Sequence, residues 1–486
     1  MPGERLTKWN GPSPTASRSA VLTCHKVVTT AVYLVLVFLR RLLCLLPHRV
    51  AAALATCMGL LWYALAWRRR RVAKSNLVNA FPEWSHRQVC RTARLAFVSF
   101  MRTVLELFRQ PRYADAAYRA RWLGIKGEEH LRAAFDRGCG VILLLAHWGN
   151  WELIGPTLTA LGYPHWAVGR QLRSATLMRF IHETRGLSKM RFIDKHRAVR
   201  PTLGALRAGN CVGIFIDQTT SEHGIEATFF GRVCSTTQGP AGFALKTGAP
   251  VVPAMCPLMP DGRYEVRFDE PIPAPQTGDA QRDVAEMTQR LTSFVEQRVR
   301  EKPAQWLWSH RRWKPFDWGQ FRPGFRHVET ILVVAPDTRE GVEASLPACA
   351  HLKAAYPHGR LAVLVEAPLK HLVEQNPEVD EVIAYGRRRG LQTLLDLRRR
   401  YFHVAVLLSD SFGSALRALL AGIPLRVGAR GRWRDLLLTH QVAPRSLERD
   451  KYYLEIVAAL ADATPRRPDA APQSSTGQES EILTTK

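Results

Sequence analysis

Short apolar runs separated by helical stretches constrain this chain more than any other feature. Residues 141–146, 212–216 and 250–257 are apolar and of strand length, while 131–135, 178–183 and 239–246 carry helical spacing. Strands buried on both faces need continuous apolar runs, and helices between them return the chain across the sheet, so the rhythm predicts an α/β layer. It pauses at the linker 315–326 and resumes with strand-like runs at 330–335, 360–365 and 404–408. A separate, Rossmann-like α/β unit is expected there.

Upstream the pattern differs. Residues 27–47 and 51–67 are strongly apolar, the first interrupted by Arg40 and Arg41, the second a little short of the ~20 residues that span a bilayer. We expect one anchoring helix and one interfacial helix, with a cleaved signal peptide as the alternative reading. Past Trp84 and Ser85, apolar positions at Val89, Ala93, Ala96, Phe97 and Phe100 predict a helix to about Phe108. The expected organisation is a mobile arm (1–24), a membrane-anchoring helical region (25–110), a catalytic α/β domain (111–318), a Rossmann-like domain (327–463) and a mobile tail (464–486).

The formal net charge of +26 calls for anionic partners. Arg68, Arg69, Arg70 and Arg71 directly follow the uncharged run 51–67, an arrangement that suits a lipid surface and argues against nucleic acid. The nine cysteines form no CxxC pair and no metal-ligand cluster with histidine, so reduced thiols in a cytosolic compartment are expected, with no metal or redox cofactor. Together these predict membrane attachment with the catalytic part in the cytoplasm.

The sharpest chemical signal follows the first apolar run: His147-Trp148-Gly149-Asn150-Trp151-Glu152. A strand delivering polar residues into a turn presents them at a sheet's C-terminal edge. A hydroxyl is a weak nucleophile at neutral pH, so ester formation needs a base such as His147, oriented by a carboxylate such as Glu152. That spacing does not place both on one helical face, so the pair can meet only across a non-helical turn, which Gly149 and Asn150 permit. A purely structural His–Glu pair is the plain alternative. Asp217 closes the run 212–216 and is either a site residue or a helix cap. Phe230 and Gly231 either line an acyl chain or belong to the core. The stretch 306–313, with Trp306, Trp308, His310, Arg311, Arg312 and Trp313, suits lipid headgroups or packing plus charge, the latter preferred.

These residues carry a resemblance. Residues 30–315 resemble the late lipid A acyltransferases, the lauroyl and myristoyl transferases of the lysophospholipid acyltransferase superfamily. Their signature is His-x-x-x-x-Asp/Glu in a setting like His147-Trp-Gly-Asn-Trp-Glu152. Further matches are Ala80-Phe81-Pro82, Phe215-Ile216-Asp217-Gln218, Phe229-Phe230-Gly231, Gly248-Ala249-Pro250 and the stretch from Trp306 to Lys314. The resemblance implies acyl transfer from acyl carrier protein thioester, or acyl-CoA, to a hydroxyl of a lipid A precursor or related glycolipid. It implies His147 and Glu152 as catalytic, with Trp148, Asn150, Arg170, Asp217, Phe230 and Gly231 at the substrate. Arg170 stands in Gly169-Arg170-Gln171-Leu172 where that family reads Tyr-Arg-Pro-Leu. Another lipid acceptor, or binding without transfer, are the rival readings.

Residues 331–460 resemble the N-terminal half of the ADP-heptose lipopolysaccharide glycosyltransferases, through Leu346-Pro347-Ala348, the run from Asn376 to Ile383, and the run from Ala421 to Gly428. Gly341 stands where that family has an aspartate, and the sugar-nucleotide half has no counterpart here. The resemblance implies a saccharide-recognising or rigidifying role, with Asp337 and Asp410 the residues to inspect.

Overall fold

The computed structural model describes residues 14–172, 174–220, 224–313, 330–357, 359–386 and 390–461. The chain forms two compact units, Met1–Arg312 and Trp313–Lys486. The expected tail 464–486 and most of the expected arm lie outside the described residues, although the first helix already begins at Pro14. The helical region and the first α/β region share one unit.

Four helices open the first unit: α1 (Pro14–Leu45), α2 (His48–Leu65), α3 (Trp67–Ala80) and α4 (His86–Arg109). The start of α4 is fixed by a capping box, in which the Ser85 hydroxyl accepts from the Gln88 amide while the Gln88 side chain answers the Ser85 amide. Its buried face is the predicted one, with Val89, Ala93, Ala96 and Phe97 inside.

The strands that follow are β1 (Leu123–Lys126), β2 (Val141–Leu145), β3 (His165–Gly169), β4 (Arg191–Asp194), β5 (Cys211–Phe215), the hairpin β6 (Gly224–Phe229) and β7 (Arg232–Thr237), then β8 (Val251–Met255) and β9 (Tyr264–Phe268). Seven of them make one sheet in the order β1-β9-β8-β2-β5-β3-β4. Its pairs are parallel except β8 with β9, so the β1–β9 pair runs against the other five strands. All five residues of β2 are buried, which is why its sequence is uninterruptedly apolar. In register, Leu145 at the end of β2 lies opposite Phe215 at the end of β5. The two chains therefore leave the sheet side by side.

The second unit holds β10 (Thr330–Val334), β11 (Arg360–Glu366), β12 (Glu381–Tyr385), β13 (Val404–Leu407), β14 (Leu425–Ala429) and β15 (His440–Val442). Their order is β12-β11-β10-β13-β14-β15, and every pairing is parallel. Alternate residues of each central strand feed opposite faces: Ile331 and Val333 join one buried cluster, Leu332 and Val334 the other. Both faces are covered by helices, the doubly wound arrangement that the apolar rhythm predicts.

Candidate active site

His147 and Asp217 sit just past the ends of β2 and β5, and that register brings them together. The His147 Nδ1 lies 2.8 Å from Asp217 Oδ1, and the His147 amide donates to Asp217 Oδ2 at 2.7 Å. Trp306 Nε1 donates to the same Oδ2 at 2.8 Å. The Asp217 side chain is 1% exposed, against 20% for His147. Burial alone raises a carboxyl's pKa, but the charge of the His147 ring and the hydrogen bonds from His147 and Trp306 outweigh it and hold Asp217 below its ordinary value. Asp217 is thus an anion at neutral pH, aimed at an imidazole. On the other side of the ring, Gln218 Nε2 lies 3.3 Å from His147 Nε2. The ring is held between Trp151, edge-on at 5.0 Å, and Phe215 at 4.4 Å. A narrow crevice lies beside it, bordered by Ser99 and Phe100 of α4, by His147 and Trp151, and by Trp306 and Leu307.

The loop that carries His147 is sewn in on three sides. The Leu307 amide donates to the His147 carbonyl at 3.1 Å, the Gly149 amide to Gln305 at 2.9 Å, and the Asn150 amide to Cys256 at 2.7 Å. From α4, the Thr103 hydroxyl donates to the Gly149 carbonyl at 3.1 Å. Gly149 has φ 67°, and a Cβ there would lie 2.2 Å from the Cys256 carbonyl oxygen, so glycine is required on both counts.

The contact expected between His147 and Glu152 is not made. Glu152 is turned away into a separate pair: Arg185 Nε donates to Oε2 at 3.0 Å and Nη2 to Oε1 at 2.5 Å, with Trp151 Nε1 donating at 3.1 Å. Gln110, at the end of α4, donates to the Glu152 carbonyl at 2.8 Å. The physical reason is the short helical turn Trp151–Leu153, which begins immediately after the loop and swings Glu152 toward the helix Ala175–Gly186 that carries Arg185. The carboxylate that meets His147 is instead Asp217.

The other expected site residues scatter. Trp148 is 1% exposed and donates through Nε1 to the Lys302 carbonyl at 3.2 Å, facing away from the crevice. Asn150 is fully buried beneath the loop. Arg170 is exposed, just beyond the end of β3. Phe230, with φ 54°, and Gly231 form the β6–β7 turn. Phe230 packs against Phe81 and lies under the Arg300 guanidinium at 4.3 Å, so it belongs to an aromatic cluster. Of the stretch 306–313, Trp306, Trp308 and Arg312 are buried, and Arg312 donates to the Ser235 carbonyl at 2.5 Å and the Thr236 hydroxyl at 2.7 Å. Trp308 and Arg312 belong to the packing, while Trp306 also reaches Asp217. Sequence reasoning assigned no site role to Trp306, Gln218 or Arg185. Gln218 and Trp306 stood inside quoted motifs, whereas nothing marked Arg185 among the chain's many arginines.

Residues 22–315 match the family described as bacterial lipid A biosynthesis acyltransferase. A phosphatidylinositol mannoside acyltransferase of Mycolicibacterium smegmatis is 26% identical over 224 residues, 45% of this chain and 71% of that protein. The lipid A biosynthesis palmitoleoyltransferase of Escherichia coli K12 is 26% identical over 273 residues, 55% of this chain and 86% of that protein. Lipopolysaccharide heptosyltransferase 2 of Salmonella typhimurium is 33% identical over 140 residues, 27% of this chain and 39% of that protein. The solved E. coli ADP-heptose lipopolysaccharide heptosyltransferase II aligns at 29% identity with a TM-score of 0.24, over 31% of this chain and 47% of that one. Since the family match spans more than half of the sequence, the chain belongs to the bacterial lipid A biosynthesis acyltransferases.

Proposed function

We propose that this acyltransferase moves a fatty acyl group from a thioester, carried by acyl carrier protein, to a hydroxyl of a lipid A precursor on the cytoplasmic face of the inner membrane. The observation that carries the reading is the His147–Asp217 contact at the sheet edge. With Nδ1–H donated to Asp217, Nε2 holds the lone pair, which the Gln218 amide meets. An acceptor hydroxyl taking Gln218's place gives its proton to Nε2 as its oxygen attacks the thioester carbonyl. The tetrahedral intermediate then collapses, expelling the thiolate, which takes the proton from His147. Asp217 keeps the tautomer and steadies the transient imidazolium. Glu152 serves by positioning: its pair with Arg185 ties the catalytic loop to the helix Ala175–Gly186.

The net charge of +26 suits an anionic donor, which both an acidic carrier protein and acyl-CoA are, and the two apolar helices support membrane attachment. The mannoside acyltransferase relative favours a second acceptor class, another glycolipid. The test is acyl transfer by the purified chain, offering acyl carrier protein thioester or acyl-CoA against a tetra-acylated lipid A precursor or a mannosylated phosphoinositide. Transfer from the carrier thioester to the lipid A precursor, abolished by His147→Ala, is expected. Transfer to neither acceptor from either donor contradicts the reading.

A further inference from the structure

A cavity of the first unit lies at the turn between α1 and α2, and the proposed transfer chemistry leaves it unused. Its volume is about 580 Å³, and its walls carry Arg49, Arg112 and Arg121 around a floor of Tyr118, Trp122 and His48. The His48 and Trp122 rings stack at 4.0 Å, and Arg112 lies over Tyr118 at 4.4 Å. Burial pushes His48 down to about 4, so the floor is neutral near pH 7. The acid in the wall, Asp115, accepts from the amides of Ala117 and Tyr118, which engages its charge at a helix start. Arg49 and Arg121 remain exposed at the rim. Such a cavity fits a phosphate.

The helices beside it decide the source of that phosphate. Both are long and apolar enough to cross a membrane by composition. Yet each is tied to the globular body, α2 by buried packing and α1 by side-chain bonds, although no residue of its span Val28–Leu45 is buried. On α1, Tyr33 bonds Glu183 and Arg40 Nη1 donates to Thr184 at 3.3 Å. Its last turn is held by Arg109, which donates to the carbonyls of Leu43 and Leu46 at 2.5 and 2.8 Å, and by Arg112, which donates to that of Cys44 at 2.9 Å. On α2, Ala51 and Ala55 are fully buried, Gly59 lies so close to α4 that a Cβ would come within 2.5 Å of Val98 Cα, and Trp62 packs on Phe97 at 4.3 Å. The α4 helix against which α2 lies exposes Arg91 and Arg94, which a bilayer core would not accept. The outer faces are apolar: Phe38 and Leu45 on α1 are 64% and 77% exposed, Leu61 and Leu65 on α2 59% and 71%. Arg49 stands at one end of the α2 stripe and Arg68 to Arg71 at the other. An apolar stripe bounded by arginines and backed by protein is an in-plane membrane helix.

We infer that α1 and α2 lie in the plane of one leaflet and that the cavity at their turn seats the phosphate headgroup of an anionic phospholipid, its acyl chains running along the outer faces of the two helices. The inference needs membrane attachment but neither the donor nor the acceptor of the proposed reaction. It is tested by flotation of the full chain with phosphatidylcholine vesicles, with and without phosphatidylglycerol. Removing two arginine contacts in Arg49→Ala/Arg121→Ala weakens binding to the anionic vesicles about thirtyfold, while binding to pure phosphatidylcholine stays at the wild-type level. The equally exposed pair Arg91→Ala/Arg94→Ala retains wild-type binding to both. Equal losses in the two double variants would mean diffuse charge attraction and overturn the seat. So would a rise in melting temperature with inorganic phosphate over chloride at equal ionic strength without vesicles, since the cavity would then take free phosphate. The melting temperatures of both variants, unchanged in buffer, separate a lost seat from a lost fold.

Discussion

Both sheets end their central strands in aspartates, and the two edges treat them differently. In the first unit Asp217 is buried and faces an imidazole whose far nitrogen meets the Gln218 amide. In the second, where the strand order reverses between β10 and β13, Asp337 accepts from the Tyr385 hydroxyl at 3.2 Å and the Ser409 hydroxyl at 3.3 Å. Asp410 accepts from the buried Arg434 at 2.6 Å and from Tyr452 at 3.0 Å. A carboxylate paired with an imidazole can support proton transfer, while one taken up by a guanidinium and phenols holds shape or binds. At Gly341 a Cβ would fall 2.7 Å from Pro336 Cβ and 2.9 Å from the Thr338 hydroxyl. A doubly wound edge invites a site, but the neighbours of its carboxylates decide whether chemistry follows.

The sharpest way to break this contrast is to remove a group from each edge. His147→Ala lowers the transfer rate by about 10²–10⁴-fold, whereas Asp410→Asn leaves it within about twofold, as expected of a group outside the reaction; steady-state acyl transfer reads both. Next in size is the separation of Glu152 from Asp217. Glu152→Gln and Arg185→Met each destabilise the first unit by about 3 kcal/mol through a broken buried pair, and the double variant costs little more than either, as denaturant unfolding will show. Gly149→Ala costs about 2 kcal/mol by forcing a left-handed backbone and a clash, detectable as a lowered unfolding midpoint. The smallest effect is acid sensitivity. Because Asp217 is held below the carboxyl reference of 3.8, its contribution is fully present above that pH and is lost as pH falls through its lower folded value. Unfolding midpoints for wild type and Asp217→Asn should therefore converge as pH drops below that range.

Much of the architecture was legible because apolar runs of strand length have few alternatives: 141–146, 212–216 and 404–408 became β2, β5 and β13 with their ends nearly unmoved. The helix from Ser85 was legible through its cap and spacing. The place of His147 was legible too, since a turn after a buried strand has one address, the sheet edge. Its partner was not. Spacing along the chain ranked Glu152 first, while the actual contact depends on which strands are neighbours and in what register, which no local pattern encodes. Asp217 was singled out for its strand end, yet only the β2–β5 pairing aims it at His147. Arg185 and Trp306 become visible only once distant segments are folded together.

The central claim, that His147 and Asp217 act as one unit, is tested most directly by single-turnover acyl transfer with wild type, His147→Ala, Asp217→Asn and the double variant at matched folded fraction. The account predicts that Asp217→Asn alone loses about two orders of magnitude or more, and that adding it to His147→Ala loses almost nothing further, because groups acting together are strongly non-additive. A wild-type rate for Asp217→Asn, or a double variant whose loss is the product of the two single losses, would contradict it.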